Sequence, residues 1–368
     1  MKGGAASTIA RRIASSFIVF SCSLAAAHFT TLHAHFFPNI STSPPSTAGW
    51  DVFNTYLGCH AGEHVPGLAS LKKYFHYFGY IPAASNFTDD FDAVLQSAVK
   101  TYQLNFNLNA TGDLDAPTIQ HMMRPRCGNP DIINATSTMA SGRKPPPGSA
   151  IHVVGHYSFF QGRPRWPQAS TQLTYAFFPE NQLTDAVKSV FARAFARWSA
   201  VIPLNFTHTP TYTSADIRIG FYVGDHGDGE AFDGSMGTLA HAFSPPSGHL
   251  HMDGDENWVL DGDSLNVPAS VDLESVAVHE IGHMLGLGHS SVEDAIMYPT
   301  LATGTRRVEL AGDDIQGIQE LYGSNPTFQA PANAFRRGDD SSGAHTLYLL
   351  STLWLLVVAL VCLFILYY

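Results

Sequence analysis

The chain's 368 residues give room for about two domains of ~100–200 residues each, and 45% hydrophobic with 12% aromatic content excludes wholesale disorder. A net charge of −11 with no long basic run speaks against a nucleic-acid partner. Only 14% of residues are charged yet 18 are histidine, a first sign of metal, and four cysteines are too few for a dense disulfide framework.

The N-terminus sets Lys2, Arg11 and Arg12 before an apolar run from Ile13 to Ala27. That is the form of a secretory signal peptide over residues 1–27, cut after Ala27; a buried first helix is the alternative. Sequons at Asn39, Asn86, Asn109, Asn134 and Asn205 fit a secreted glycoprotein. Residues 28–64, rich in His, Ser, Thr and Pro, read as an irregular lead-in. Leu68, Leu71, Phe75 and Phe78 then recur at helical spacing, with Gly79 as the stop. Thr88 caps a second helix, with Asp89 and Asp90 in its first turn and Phe91, Leu95, Ala98 and Tyr102 on one face. A short third helix runs from Asp115 through Ile119 to Met123, and this helical unit ends at Pro125. Residues 140–150 form a breaker-rich linker.

Strands and helices mix beyond the linker. Leu173 to Phe178 reads as a strand, and Thr184 starts a helix with Val187, Phe191, Ala194 and Trp198 on its apolar face. Ile217, Ile219, Phe221 and Val223 alternate with Arg218, Gly220 and Tyr222, the period of a half-buried strand. The Gly/Asp/His-rich stretch 224–258 predicts no long element. Helices follow from about Val271 to Leu285 and from Asp313 to Tyr322, the last stopped by Gly323. Residues 324–343 read as a stalk, and 344–368 as a hydrophobic C-terminal anchor signal. Two anchors fit that tail: the small-residue cluster Asp340 to Gly343 suits a GPI attachment, and the uncharged run Leu347 to Tyr368 is long enough for a transmembrane helix.

The chemistry concentrates in His279-Glu280-Ile281-Gly282-His283-Met284-Leu285-Gly286-Leu287-Gly288-His289. Four residues at ~100° each return a helix to nearly the same face, so His279 and His283 present two imidazoles to one ion. Leu273, Ala277, Ile281 and Met284 mark a core face roughly opposite. Gly286 lets the chain leave the helix sharply and brings His289 round as a third ligand. Three imidazoles suit zinc and leave one position open for water. Glu280 stands beside the first ligand, placed to take a proton from that water as general base.

This stretch resembles the metzincin signature of zinc proteases. Ala295-Ile296-Met297-Tyr298-Pro299 looks like that clan's Met-turn, which implies Met297 beneath the zinc site. Ser290 after the third histidine is similar to matrixins rather than to astacins or adamalysins. Pro125-Arg126-Cys127-Gly128-Asn129-Pro130-Asp131 is similar to the matrixin cysteine switch. The chain therefore resembles a matrix metalloproteinase zymogen. With no hemopexin-like domain and an anchor-like tail after a short stalk, it is similar to the plant-type members.

The resemblance implies an α+β catalytic domain, a twisted mixed sheet plus three helices, over residues 151–323. An all-α three-helix propeptide over 28–150 precedes it, and that unit also resembles peptidoglycan-binding domains. Implied partners are protein or peptide substrates, and the propeptide itself as intramolecular inhibitor with Cys127 in the zinc's open position. The chemistry agrees, because metal contact deprotonates a thiol outright; a Cys59–Cys127 disulfide is the other reading. A structural zinc is implied on His226, Asp228, His241 and His251, three imidazoles and a carboxylate with no obvious base. Calcium is implied on the hard oxygens of Asp233, Asp253 and Glu256, with backbone oxygens near Gly234. Asp216 matches a ligand of a second calcium site, where His249 replaces the usual Asp. The expected location is the outer face of the plasma membrane or the extracellular matrix. A wall-binding module could carry the three-helix unit, but it would need neither Glu280 nor an open metal position.

Overall fold

Apolar periodicity in the first half closes into three helices. The computed structural model, which describes residues 49–82, 86–139, 156–167, 171–262, 265 and 267–329, places α1 at Leu68–Tyr77, α2 at Ala93–Asn105 and α3 at Ala116–Met122. The chain leaves α1 through Gly79, whose φ of 85° favours glycine. Asp115 caps α3 by accepting from the Thr118 amide. The second helix begins later than its sequence suggests: Asp92, not Thr88, accepts from the Leu95 amide as N-cap. The acids expected in its first turn are used elsewhere, Asp89 accepting from the Ala69 amide and Asp90 pairing with His64. The lead-in is not wholly irregular either, since Gly49–Tyr56 forms a 3₁₀ helix that buries Phe53 and Tyr56. These elements share one core, with Leu68, Phe75, Leu95, Tyr102 and Ile119 at its centre, and Tyr298 from far along the chain joins it.

Three two-residue strands follow, β1 (Arg126–Cys127), β2 (Ile132–Ile133) and β3 (Thr136–Ser137). The second half runs β4 (Tyr157–Phe159), β5 (Gln172–Phe177), α4 (Asp185–Val201), β6 (Asn205–His208) and β7 (Ile217–Tyr222). It continues through β8 (Thr238–Ala242), β9 (His249–Asp253), β10 (Asn257–Val259) and β11 (Ser270–Asp272). The last elements are α5 (Leu273–Met284), β12 (Leu287–Ser290) and α6 (Gly312–Tyr322).

The main sheet has the order β1-β8-β9-β7-β5-β6, and only the β8–β9 pairing is antiparallel, so β1 and β8 run against the other four strands. Strands β8 and β9 lie in the polar stretch expected to hold no long element; Ala240, Ala242, Leu250 and Met252 face the core, but each strand is only five residues long and its apolar positions are interrupted by His241, His249 and His251. Strand β7 departs from half-burial. Gly220 and Tyr222 are as buried as Ile217, Ile219 and Phe221, because β7 is flanked on both edges and the Tyr222 ring folds over Gly220 and stacks on His226. Helix α4 starts at its Thr184 cap and packs on α5, where the Trp198 indole donates to the Val278 carbonyl at 2.9 Å. Both cores, as far as the described residues show them, belong to one compact unit.

The signal peptide, Asn39, the linker 140–150, most of the stalk and the apolar tail lie outside the described residues. Among the described residues no helix is long and apolar enough to cross a membrane.

Candidate active site

Every residue of α5 is buried. Its start is fixed by Asp272, which accepts from the Ser275 amide at 2.8 Å and hydroxyl at 2.6 Å. Glu274, in the first turn and fully buried, gathers Arg193, Arg197 and Arg306. At the other end Gly286 adopts a φ of 104° and lies against the Pro164 carbonyl, so the chain turns where a side chain has no room. This turn delivers His289 on β12. Gly282 leaves the space into which the Met297 sulfur packs, directly under the helix. Asp314, on α6, holds that turn by accepting from the amides of Ile296 at 2.8 Å and Met297 at 3.0 Å.

Each histidine of the motif spends its Nδ1 on an acceptor. His279 donates to the Ile296 carbonyl at 2.7 Å, His283 to the Leu287 carbonyl at 2.8 Å, and His289 to Asp131 Oδ1 at 2.9 Å. In a neutral ring that leaves the lone pair on Nε2. Yet the Nε2 atoms of His279 and His283 face each other at 3.1 Å, and His289 Nε2 is buried with no hydrogen-bond partner. Burial, then the neighbouring rings, drives the His279 pKa down to about 3 and His283 well below its usual value, so a proton does not fill the gap. Facing lone pairs in a dry site call for a cation. The Cys127 sulfur lies 3.4 Å from His283 Nε2, and the four ligand atoms of Cys127, His279, His283 and His289 all fall within 4.8 Å of one another. That donor set fits zinc. Glu280 stands beside it fully buried, neither carboxylate oxygen has a partner, and burial pushes its pKa up to about 8.

The segment carrying Cys127 crosses the cleft as a strand. On one side Arg126 and Gly128 donate to the carbonyls of Gly237 and Ala240 at 3.0 and 2.8 Å. On the other, the Cys127 amide donates to the Pro299 carbonyl at 2.9 Å and the Pro125 carbonyl accepts from the Leu301 amide at 3.0 Å. The Asn129 amide extends the pairing by exchanging two hydrogen bonds with Ala242. Arg126, fully buried, meets Asp131 through both guanidinium nitrogens and lies 3.7 Å over the Phe78 ring. Cys127 and Cys59 are both free thiols, so the alternative disulfide does not form.

A second cluster collects His226, Asp228, His241 and His251, whose ligand atoms also lie within 4.8 Å of one another. Asp228 Oδ2 is 2.9 Å from His226 Nε2 and 2.8 Å from both His241 Nε2 and His251 Nδ1. His226 gives its Nδ1 hydrogen to the Gly224 carbonyl, so its Nε2 lone pair points at a carboxylate, which again suits a cation. No fully buried carboxylate without a partner stands beside this set among the described residues; the acid next to it, Glu230, is only partly buried, with its pKa raised by burial and then by the Asp228 charge.

Next to β8 and β9, Asp233, Asp253 and Glu256 each give one oxygen to a backbone amide, those of Thr238, Asp255 and Met236. Asp253 Oδ2 and Glu256 Oε2 are buried without partners. Burial pushes Asp253 up to about 7 and, with the Asp253 charge, Glu256 up to about 8. These acids do not gather within 4.8 Å as the two histidine sets do. Gly234 turns between them with a φ of 86°. Asp216 Oδ2 accepts from the amide and hydroxyl of Thr174, both at 2.7 Å, and His249 contacts the Ser247 hydroxyl.

Several contributors escape sequence reading. Asp314 is remote from the turn it holds. His121 on α3 reaches the Tyr298 hydroxyl with Nε2 at 2.9 Å and the Tyr102 hydroxyl with Nδ1 at 2.6 Å. Tyr298 in turn lines a pocket beside the histidines with Leu239, Val276, Leu301 and Arg307. No local pattern marks such pairs.

Fold and site together define a zinc metalloendopeptidase that carries its own zymogen propeptide. The matrixin family profile matches residues 165–323, and that of a putative peptidoglycan-binding domain matches residues 65–122. Metalloendoproteinase 2-MMP of Arabidopsis thaliana is 57% identical over 328 residues, which cover 84% of this chain and 87% of that protein. Metalloendoproteinase 1 of Glycine max is 49% identical over 297 residues, 78% of this chain and 94% of that protein. Matrilysin of Homo sapiens is 37% identical over 257 residues, 69% of this chain and 83% of that protein. The chain belongs to the matrixin family, and it is nearer to these plant members than to the human one.

Proposed function

We propose that His279, His283 and His289 hold the catalytic zinc, that Glu280 is the general base, and that Cys127 closes the fourth position until the propeptide leaves. The observation that carries this is the convergence of three imidazole nitrogens and one sulfur beside a buried carboxylate with no partner. Zinc bound there supplies Lewis acidity toward a carbonyl and acidifies water. Glu280 accepts the water's proton and passes it to the leaving amine. Met297, packed against Gly282, supports α5 from below. The peptide substrate takes over the cleft edge of β8 that Arg126 and Gly128 occupy in the latent chain.

His226, Asp228, His241 and His251 hold a structural zinc in this reading. Asp233, Asp253 and Glu256 hold calcium with backbone oxygens near Gly234, which keeps those buried acids ionised; Asp216 is the candidate for a second calcium. The protein is a secreted glycoprotein at the outer face of the plasma membrane or in the extracellular matrix, anchored through its tail by GPI or by a transmembrane helix. Its parts are a signal peptide over 1–27, a propeptide over 28–150, a catalytic domain over 151–323, a stalk over 324–343 and the tail.

Glu280→Ala tests the assignment. The activated variant should lose a factor of about 10²–10⁴ in kcat while keeping its zinc content. Peptide hydrolysis near the wild-type rate would remove Glu280 from the mechanism.

A further inference from the structure

His289 is held differently from the other two histidines. His279 and His283 donate Nδ1 hydrogens to carbonyls close by in the same half of the chain, whereas His289 donates to the carboxylate of Asp131, four residues beyond Cys127. Both side chains are 0% exposed. Asp131 is otherwise saturated: Arg126 donates to its two oxygens at 2.6 and 2.9 Å, and the Tyr80 hydroxyl donates at 2.8 Å. On the far side of the ring, His289 Nε2 has no hydrogen-bond partner and is one of the four converging ligand atoms. A carboxylate on one ring nitrogen fixes the tautomer and makes the other nitrogen a stronger donor.

We propose that Asp131 is a positioning residue for the zinc of the latent enzyme, acting through His289. The inference rests on the ligand roles given above to His289 and Cys127. The propeptide then grips the ion twice, directly with the Cys127 sulfur and indirectly with the Asp131 carboxylate. Removing the propeptide withdraws both at once. The mature site is left with a weaker third imidazole, and so with a more electrophilic and more easily removed ion.

The test uses the full-length zymogen with cobalt replacing zinc. The thiolate-to-cobalt charge-transfer band reports only the site that contains Cys127. Its decay in excess chelator is compared for wild type, Asp131→Asn and Arg126→Gln. Both variants break the buried Arg126–Asp131 pair, but only the first removes the charged acceptor from His289. Asp131→Asn should lose the band about tenfold faster or more, with Arg126→Gln much nearer to wild type. Equal acceleration in the two variants would mean that the ion pair alone matters and would overturn the proposal. A wild-type zymogen with no such band would overturn the Cys127 assignment, a separate failure that takes this inference with it. A second measurement needs no variant. In the zinc-loaded wild-type zymogen labelled with ¹⁵N-histidine, the His289 Nδ1 proton should resonate at low field and move upfield when the propeptide is cleaved away. A signal unmoved by cleavage would overturn the proposal.

Discussion

His279, His283 and His289 sit at the end of a buried helix and on the strand after it, whereas His226, Asp228, His241 and His251 are gathered from a loop and two strands. Each set has three imidazoles, and the two differ in the fourth donor. The first takes Cys127 from a distant segment that can be cut away; the second takes Asp228, tied two residues from His226. An unpartnered carboxylate, Glu280, stands beside the first. In the reading proposed here, similar donors serve a catalytic or a structural site according to how the last ligand is tethered and whether a base waits next to the opening.

The largest effect expected outside the chemistry itself is that of Asp228→Ala. It should cost the second metal and several kcal/mol of stability, since a structural zinc contributes folding energy outright. Activity per folded molecule should survive. Metal content and a denaturant midpoint, each paired with active-site titration, measure this; a dead but fully folded variant would erase the distinction between the clusters.

Next in size is an acid effect on the removable side of the comparison. Burial, then the charges of Arg124 and Arg126, lowers the His121 pKa from 6.5 to about 3 where α3 meets Tyr298. A pKa depressed in the docked state means that the detached propeptide binds more protons. Part of that burial belongs to the propeptide's own core, through Tyr102 and Phe106, so docking is fully supported above pH ~6.5 and weakens as pH falls toward 3 by less than about 1.4 kcal/mol per unit. His121→Gln should flatten the pH dependence of propeptide release between pH ~6.5 and 4. An unchanged slope would place the proton uptake elsewhere.

The smallest effect concerns the floor of the first cluster. Asp314→Ala strips acceptors from the amides of Ile296, Met297 and Ala311 and should destabilise the chain by about 1–3 kcal/mol. Urea unfolding reads this directly. A change within ~0.5 kcal/mol would show that the Met-turn holds without it.

The first cluster was legible in the sequence because two of its ligands are one helical turn apart and the third follows a glycine exit, so local geometry nearly dictates the meeting. The second was legible through the chemistry of its donors and through family resemblance, not through spacing: His241 and His251 meet because β8 and β9 pair, His226 joins them from a loop, and nothing local records that meeting. The same limit hid those two strands and the reach of His121, Asp131 and Asp314. The shift of the α2 cap from Thr88 to Asp92 had a tertiary cause as well, since α1 and His64 draw off Asp89 and Asp90. Residues that chain spacing brings together could be read; residues that only packing brings together could not.

X-ray absorption at the zinc edge, recorded on the zymogen and again after propeptide removal, tests the difference between the clusters most directly. The zymogen should show sulfur at ~2.3 Å from zinc, about one sulfur for every two ions, and that shell should vanish in the mature enzyme while the nitrogen shell remains. A zymogen spectrum of nitrogen and oxygen alone, or a sulfur shell that survives propeptide removal, would contradict Cys127 as the removable ligand.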